Sequence, residues 1–355
     1  MEPQARFFGG NAEAGIRCTL CPHCCGIPDG GFGVCGVRGN GNGKGVIPFY
    51  GLVTALALDP IEKKPLFHFR PGSSILSIGF AGCNLRCPFC QNWNIARVPD
   101  ACAGGVSVPG RRMTPVEVVS TARHNDSKAI AYTYSEPLVH AEFLLDCMSL
   151  AHGHGIANVL VTNGCIGTEA AGEILSLADA ANIDLKCFSP TTYAQVLGGT
   201  IVEKDGMEAG LLKAVLAFIR LAHAKNVHVE VTTLVVPGMN DSAVELDACA
   251  DFIMSLNDPG IPWHLSAYHP GYLWKAPATD PSFLLGAKER AEKKLRFVYA
   301  GNIPGEENNT LCPCCDTLLL RRSGYRTEMV GLAEPACGEA FYRCAGCGGG
   351  TGIVC

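Results

Sequence analysis

Short apolar runs alternate with longer segments of helical periodicity between residues 73 and 302, and this alternation restricts the fold more than any other feature. The strand candidates are SILSIGF, KAIAYTY, ANVLVT, NIDLKCF, NVHVEVTTLVV and WHLSAY. The helix candidates are TPVEVVSTARH, PLVHAEFLLDCMSLAHGH, TEAAGEILSLAD, EAGLLKAVLAFIRLAHA, DSAVELDACADFIMSL and PSFLLGAKERAEKK. Six such units predict parallel strands joined by helical crossovers, and therefore an α/β fold.

Polar residues recur on one face of two strand candidates. Because side chains alternate along a strand, Asp184 shares a face with Lys186, and His228 shares a face with Glu230 and Thr232. A flat parallel sheet that is buried on both faces would be almost entirely apolar. These rows favour a partial (β/α)6 TIM-like barrel whose inner face lines a site, with residues 228, 230 and 232 as candidate substrate contacts. A structural ion pair between Asp184 and Lys186 is an alternative, as is a solvated edge at residues 228–232.

The composition changes on both sides of this segment. Residues 1–65 form a Cys-rich N-terminal extension, residues 66–302 the barrel, and residues 303–355 a small module with two C-x2-C pairs. With 48% hydrophobic residues the chain can bury a sizeable core, and its formal net charge of −5 argues against non-specific nucleic-acid binding. There is no apolar run of roughly eighteen residues and no export signal, so we expect a cytoplasmic protein that has no membrane partner. In a reducing compartment the 20 cysteines favour metal ligation over disulfides.

Three cysteines follow the first strand candidate directly. Cys83, Cys87 and Cys90 have the spacing C-x3-C-x2-C. This places them on the first βα loop, at the edge of the sheet where parallel α/β folds build their sites. Thiolates select soft metals and iron–sulfur clusters, and three of them can hold three corners of a [4Fe–4S] cluster while one iron stays open. The alternative is a structural zinc knuckle with a distant fourth ligand.

The stretch GCNLRCPFCQNW, with aromatic Phe89 before the last cysteine, resembles the signature of the radical S-adenosylmethionine (radical SAM) superfamily. YSEP at residues 134–137 resembles a GGEP-type motif, while VTNG at 161–164 and IDLK at 183–186 resemble segments of pyruvate formate-lyase activating enzymes. AYHP resembles a segment that carries a histidine near the nucleoside. The resemblance implies that S-adenosylmethionine binds through residues at successive strand ends: Phe89, Ser135, Glu136, Thr162, Asn163, Asp184, Lys186 and His269.

The resemblance also implies a role for several of these residues. It places Glu136 at the methionyl amine and Lys186 at the carboxylate or ribose of S-adenosylmethionine. Thr162 and Asp184 match positions of a monovalent cation site, although Val161 stands where those enzymes carry an acidic residue. For His269 the alternative is a loop histidine that binds nothing.

Segments along nearly the whole chain resemble the radical SAM enzymes of the AmmeMemoRadiSam system, among them CTLCPHCCGI, YGLVTALALDPIEKKPLFHFRPGS, PWHLSAYHPGY and VYAGNIPG. The resemblance implies an enzyme that reductively cleaves S-adenosylmethionine to a 5′-deoxyadenosyl radical, which abstracts hydrogen from an unidentified small molecule, protein or peptide. It also implies AMMECR-like and Memo-like companion proteins and an electron donor such as flavodoxin or ferredoxin. A glycyl-radical-enzyme activase is the alternative activity, and a non-catalytic metal-binding scaffold is the alternative class.

Two further cysteine groups flank the barrel. The first offers four ligands for zinc, for an auxiliary iron–sulfur cluster or for no metal: Cys18, Cys21, Cys25 and Cys35, with Cys24 as an alternative to Cys25 and His23 nearby. The second predicts a zinc-ribbon or rubredoxin-like site for zinc or iron: Cys312, Cys315, Cys344 and Cys347. In so small a module the metal is expected to supply folding energy.

The remaining cysteines have no metal spacing. Those in apolar segments are expected to be core residues: Cys102, Cys147, Cys165, Cys187 and Cys249. Three more lie close to the C-terminal knuckles without a role: Cys314, Cys337 and Cys355.

Overall fold

The first part of the chain folds as small antiparallel ribbons joined by turns that carry cysteines. The computed structural model of the protein describes residues 3–12, 15–98, 108–198, 202–204, 207–335 and 338–355. One ribbon contains β1 (Phe8–Ala12), β2 (Gly15–Cys18) and β3 (Gly26–Ile27). The other is a hairpin of β4 (Gly39–Gly41) and β5 (Lys44–Val46). Cys102 and Cys337 lie outside the described residues.

A nine-stranded mixed sheet forms the centre of the described structure. In chain order the strands of this region are β6 (Leu52–Pro60), β7 (Ser74–Phe80), β8 (Arg111–Arg112), β9 (Ala129–Thr133), β10 (Ala157–Thr162), β11 (Ala180–Asp184), β12 (Val202–Lys204), β13 (Met207–Ala209), β14 (His228–Val235), β15 (Trp263–Ala267) and β16 (Val298–Gly301). β12 and β13 pair only with each other, and the others follow the order β16-β15-β14-β11-β10-β9-β7-β6-β8. From β7 to β16 neighbouring strands are parallel, while β6 and β8 are antiparallel.

All six strand candidates are confirmed as strands with following helices, and the structure adds one strand that was not expected. A seventh parallel strand, β16, extends the described sheet beyond β15. Its four residues have no following helix, so the local pattern gave it no βα unit. Because each parallel strand from β7 onward is added on the same side, the sheet is wound in one direction, as in a barrel, and its order stays open between β16 and β8.

Helices and strands alternate as the pattern predicted. The helices are α1 (Trp93–Ala96), α2 (Pro115–His124), α3 (Ala141–Gly153), α4 (Thr168–Leu175), α5 (Pro190–Gln195), α6 (Leu211–Ala224), α7 (Ala243–Met254) and α8 (Pro281–Ala291), with 3-10 turns at Ile61–Lys63 and Pro137–His140. Side-chain caps fix several of their starts, for example the reciprocal bonds between Thr114 and Glu117 at α2. Among the described residues no helix combines the length and the apolar character needed to cross a bilayer.

The two faces of the sheet carry side chains of different size. On one face large residues such as Ile78, Phe80 and Leu160 pack in the same core as the helices. On the other face β9, β10 and β11 present small residues, such as Ala131 and Ala180, against a segment that lies inside the sheet. We call residues 61–70 the interior segment, because Ile61, Leu66 and Phe69 pack there. Small side chains on the strands are what leave room for it.

The C-terminal module consists of two three-stranded antiparallel sheets. Its strands are β17 (Thr310–Leu311), β18 (Leu318–Ser323), β19 (Arg326–Met329), β20 (Leu332–Ala333), β21 (Phe341–Cys344) and β22 (Gly350–Val354). The amide of Val354 donates to the carbonyl oxygen of His68 at 2.7 Å, and the amide of Arg70 donates to the carbonyl oxygen of Val354 at 3.0 Å. The module is therefore bonded to the interior segment rather than hanging free.

Candidate functional site

The three cysteines of the first βα loop lie at the carboxyl edge of the sheet, directly after β7. Gly82 turns the chain there with a φ of 85°, and an added Cβ would lie 2.6 Å from the carbonyl oxygen of Cys35, so only glycine fits. Burial raises the pKa of all three thiols, that of Cys87 to about 11. Because thiolates bind metals and thiols do not, loading this loop releases protons.

The spacing of these sulfur atoms does not suit a single metal ion. Among the described residues, the four cysteines of the C-terminal module are the only group whose ligating atoms all lie within 4.8 Å of one another. Sulfur ligands at about 2.3 Å around one tetrahedral zinc lie roughly 3.8 Å apart. The wider set of Cys83, Cys87 and Cys90 fits a cluster, in which each thiolate binds a different iron, and speaks against the zinc knuckle.

An amide network ties the Cys83 loop to the end of β10. The Asn163 side-chain amide donates to Asn84 Oδ1 at 3.0 Å and lies 3.7 Å from Cys83 Sγ. The Asn84 side chain in turn donates to the carbonyl oxygen of Cys165 at 2.6 Å. Sequence reasoning gave Asn84 no role, although a polar residue inside the cysteine motif was the available signal. The network holds Cys83 from one side, as hydrogen bonds to cluster ligands do in iron–sulfur proteins.

Glu136 forms the acidic part of the site at the end of β9. The carboxylate is buried and accepts hydrogen bonds from Thr162 Oγ1 at 2.5 Å, from the Asn163 amide at 2.8 Å and from the Leu138 amide at 3.1 Å. Burial outweighs these three bonds and raises the pKa of Glu136 to about 7. A buried carboxylate so close to the open cysteine set can meet an amine, which is the role that the resemblance implies.

Asp184 and Lys186 form an ion pair of 2.8 Å at the carboxyl end of β11. Burial would lower the pKa of Lys186, but Asp184 and the thiolate of Cys87 outweigh it and raise that pKa. The ammonium group also acts against the effect of burial on Cys87 and Cys90. The cation of this pair therefore lies within electrostatic reach of the cysteine loop.

The other residues that the resemblance implied take different places. Phe89 is buried in the main core, and Ser135 Oγ donates to the carbonyl oxygen of Phe80 at 2.7 Å. His269 is exposed, with Nε2 3.3 Å from the carbonyl oxygen of Asn302. The loop after His269 contacts the cysteine loop, since the amides of residues 273 and 274 both donate to the carbonyl oxygen of Pro88. The roles of Phe89, Ser135 and His269 in binding S-adenosylmethionine stay predictions.

The polar row on β14 holds the interior segment. Glu230 is fully buried and accepts the amides of Phe67 at 2.9 Å and His68 at 2.7 Å. His228 Nε2 lies 3.0 Å and His264 Nε2 2.6 Å from its carboxylate oxygens. The substrate contacts of His228 and Glu230 stay predictions. In the structure these two residues position residues 67 and 68.

Thr232, the third residue of this row, lines a cavity of about 370 Å³. The cavity walls include side chains from β15, β16 and the C-terminal module: His264, Ser266, Tyr299, Asn302 and Arg322. Sequence reasoning missed these five residues. The alternation of His264 and Ser266 in WHLSAY was the available signal, whereas Arg322 enters from the C-terminal module and left none.

The C-terminal cysteines form a compact site. Cys312 Sγ lies 3.7 Å from Cys347 Sγ, and Cys315 Sγ lies 3.6 Å from Cys344 Sγ. These distances match four thiolates around one tetrahedral ion. The Gly346 amide donates to Cys344 Sγ at 3.3 Å, as amides around such knuckles do.

The cysteines without metal spacing behave as expected where they are described. Four of them are buried free thiols of the main core: Cys147, Cys165, Cys187 and Cys249. Cys314 is exposed and Cys355 is partly exposed, and neither belongs to the compact group.

The chain is similar to several known proteins. The family model for the radical SAM superfamily matches residues 77–248. An uncharacterized protein of Methanocaldococcus jannaschii is 37% identical over 354 residues, which is 99% of each chain. A pyruvate formate-lyase-activating enzyme of Clostridium pasteurianum is 26% identical over 184 residues, covering 50% of this chain and 69% of that protein. Among solved structures, SuiB of Streptococcus suis has a TM-score of 0.48 at 13% identity and covers 68% of this chain and 52% of its own.

Proposed function

We propose that this chain, which belongs to the radical SAM superfamily, uses a [4Fe–4S] cluster on Cys83, Cys87 and Cys90 to cleave S-adenosylmethionine reductively and start radical chemistry on a small molecule or peptide. One observation carries the proposal. Three cysteines spaced too widely for a single ion stand at the carboxyl edge of a parallel sheet, with Glu136 and Lys186 directed to the same edge.

The donor set fits the cofactor pair. The three thiolates would supply three cluster corners, and the C-x3-C-x2-C motif itself offers no fourth cysteine. When bound, the cluster and S-adenosylmethionine supply a carbon-centred radical that can remove a hydrogen atom from a substrate. Glu136 offers a carboxylate to an amine, and Lys186 offers a point charge to a carboxylate.

The other residues of the site position the three cysteines and shield them from solvent. Asn163 fixes the Cys83 sulfur, and the loop at residues 271–274 lies over Pro88. Such covering keeps solvent from a reactive centre, which is the contribution that a protein makes to cofactor chemistry. The cavity beside Thr232, of about 370 Å³, is in the size range of small-ligand pockets, so it is our candidate substrate region.

A glycyl-radical activase is the second candidate. The partial similarity to a pyruvate formate-lyase-activating enzyme favours it. An activase acts on a protein backbone, so its substrate would have to reach the cysteine edge as an extended loop. AMMECR-like and Memo-like proteins and a flavodoxin or ferredoxin remain the partners that we propose to test.

The proposal is tested without oxygen. The purified chain is loaded with iron and sulfide, given S-adenosylmethionine and dithionite, and 5′-deoxyadenosine is measured by chromatography. We expect the product with the native chain and with Cys314→Ala, because Cys314 is exposed and outside every metal group. We expect none with Cys83→Ala. Equal product from Cys83→Ala and Cys314→Ala would contradict the proposal. Adding a candidate partner or a glycyl-radical protein to the same assay identifies the class of substrate.

A further inference from the structure

The N-terminal cysteines come together from two separate turns of the chain. The amide of Cys18 donates to the carbonyl oxygen of Cys25 at 2.9 Å, which closes the first turn. The Val34 amide donates to Cys25 Sγ at 3.4 Å, which brings the turn that carries Cys35 against it. Burial raises the pKa of Cys21, and the thiolates of Cys35, Cys18 and Cys25 raise it further. The four sulfur atoms are therefore within electrostatic reach of one another.

Cys24 is directed differently from its neighbour Cys25. Its backbone has a φ of 44°, and its thiol faces the carbonyl oxygen of Cys21 at 3.7 Å. The choice between residues 24 and 25, which the sequence left open, is thus made by geometry in favour of Cys25. Cys24 becomes a matched control.

Unlike the C-terminal cysteines, the N-terminal four do not form a compact group, and in this they agree with the Cys83 loop. Its sulfur atoms do not form a set within 4.8 Å, although all four residues are described. The C-terminal pairs, at 3.6 and 3.7 Å, show what a single-ion site looks like in the same structure. Four gathered thiols that are too far apart for one ion suit a cluster of several irons.

One buried cation lies beside the group and is shared with a carboxylate. Arg38 is buried and makes bonds of 2.7 and 3.0 Å to the two carboxylate oxygens of Glu142. Burial would lower the pKa of Arg38, but Glu142 and the thiolate of Cys18 outweigh it and raise that pKa. A cation and amides beside thiolates stabilise an anionic iron–sulfur cluster.

The N-terminal group lies directly behind the Cys83 loop. His23 Nε2 lies 2.7 Å from the carbonyl oxygen of Asn84, one residue after Cys83. The Gly167 amide donates to the carbonyl oxygen of Leu20 at 2.8 Å, which joins the first turn to the loop after β10. The carbonyl oxygen of Cys165, in the same loop, accepts from the Asn84 side chain at 2.6 Å, so this loop contacts both groups.

We propose that Cys18, Cys21, Cys25 and Cys35 bind a second [4Fe–4S] cluster, which passes single electrons toward the Cys83 loop. Four cysteine ligands leave no open iron, so S-adenosylmethionine has no place there and electron transfer is the chemistry that remains. A low-potential flavin or iron–sulfur donor protein loses one electron, and the same electron leaves the second cluster toward the Cys83 loop. No bond changes in this step. The relay rests on the proposed function, whereas the second cluster does not.

The first test counts iron and acid-labile sulfide in anaerobically loaded full-length chain. We expect about eight of each per native chain and about four of each in the Cys83/Cys87/Cys90→Ala variant, whose reduced form keeps the electron paramagnetic resonance signal of a cluster. Sulfide is decisive, because a rubredoxin-like iron at the C-terminal site brings none. Only about four sulfides in the native chain, or zinc in place of iron at the N-terminal group, would overturn the second cluster.

The second test removes the ligands within that triple variant. Adding Cys21→Ala should remove the remaining sulfide, whereas adding Cys24→Ala should leave it. Equal sulfide in both would overturn the assignment of ligands. Circular dichroism of both variants checks that the barrel is folded.

The relay is tested separately by rapid mixing. Reduced flavodoxin should reduce the Cys83-loop cluster quickly in the native chain, with loss of that fast phase in Cys21→Ala. Titanium(III) citrate, a small reductant, should reduce both chains at the same rate. An unchanged fast phase with flavodoxin would overturn the relay and leave the cluster count as it is. Absence of 5′-deoxyadenosine from the native chain would instead count against the proposed function.

Discussion

Glu136 shows how a single side chain is tuned by its setting. Three hydrogen bonds hold the carboxylate, yet burial dominates and the pKa rises to about 7. A carboxyl group with such a pKa changes charge in the range where cells operate, and perturbed groups of this kind cluster at functional sites. The charge of Glu136 is therefore a variable that can be measured.

We expect the affinity for S-adenosylmethionine to fall as the pH drops from 8 to 6. Below about 7 Glu136 takes up a proton and loses the charge that we propose to meet the methionyl amine. Glu136→Gln should weaken binding about tenfold at pH 8, the value of one charge-assisted hydrogen bond, and should abolish the pH dependence. Equilibrium dialysis of the loaded chain measures both. Glu169→Gln, at an exposed site on α4, should bind like the native chain at every pH.

At the scale of elements, the interior segment accounts for the position of Glu230 in the polar row on β14. The two-residue period correctly placed Glu230 on the inner face, because alternation is a local property of a strand. It could not show that residues 67 and 68 occupy that face, because this contact joins positions 162 and 163 residues apart. Local patterns thus predicted the strands and the cysteine loop, while partners contributed from distant segments stayed hidden.

We expect Glu230→Gln to destabilise the fold by about 3 kcal/mol, the cost of disrupting a fully buried charged network. The amide can accept only part of the four contacts that the carboxylate accepts from Phe67, His68, His228 and His264. The thermal midpoint of the variant should fall by several degrees. Glu289→Gln, on the exposed side of α8, serves as the control and should not shift it.

We also expect the folded state of the C-terminal module to depend on its four-cysteine site. Its small core contains Cys312 and Cys344 themselves, next to Leu319, Leu320 and Ile353. We expect Cys344→Ser to raise hydrogen exchange throughout β17–β22, because a metal bound by these four cysteines would supply folding energy that so small a core lacks. Cys314→Ser should keep the native exchange rates. Protection that survives in Cys344→Ser would show that packing alone holds the module.

For the whole molecule, buried neutral histidines link stability to pH. Burial lowers the pKa of His140 to about 4 and that of His68 to about 3. An unfolded chain binds protons at histidine near pH 6.5, so below that value the unfolded state takes up protons that the folded state excludes. Both histidines therefore contribute stability above about pH 6.5 that is lost as the pH falls toward their folded pKa values.

We expect the free energy of unfolding to decrease below about pH 6 by roughly 1.4 kcal/mol per pH unit for each of these histidines. Thermal midpoints between pH 7.5 and 5 give the slope. His140→Gln should reduce this slope by roughly 1.4 kcal/mol per pH unit, the contribution of one proton. The variant should still fold, since glutamine can donate to the Ala81 carbonyl oxygen that His140 contacts at 2.7 Å. His124→Gln, at an exposed position, should leave the slope unchanged.

The hydrogen bonds between Val354 and the interior segment also constrain the order in which parts of the structure can form. His68 is synthesised early, but its carbonyl oxygen accepts from the amide of Val354, which is synthesised after all the strands of the barrel. Until then the inside of the barrel lacks the strand and the arginine that close it. Any folding step that needs these contacts therefore follows the synthesis of Arg322 and Val354.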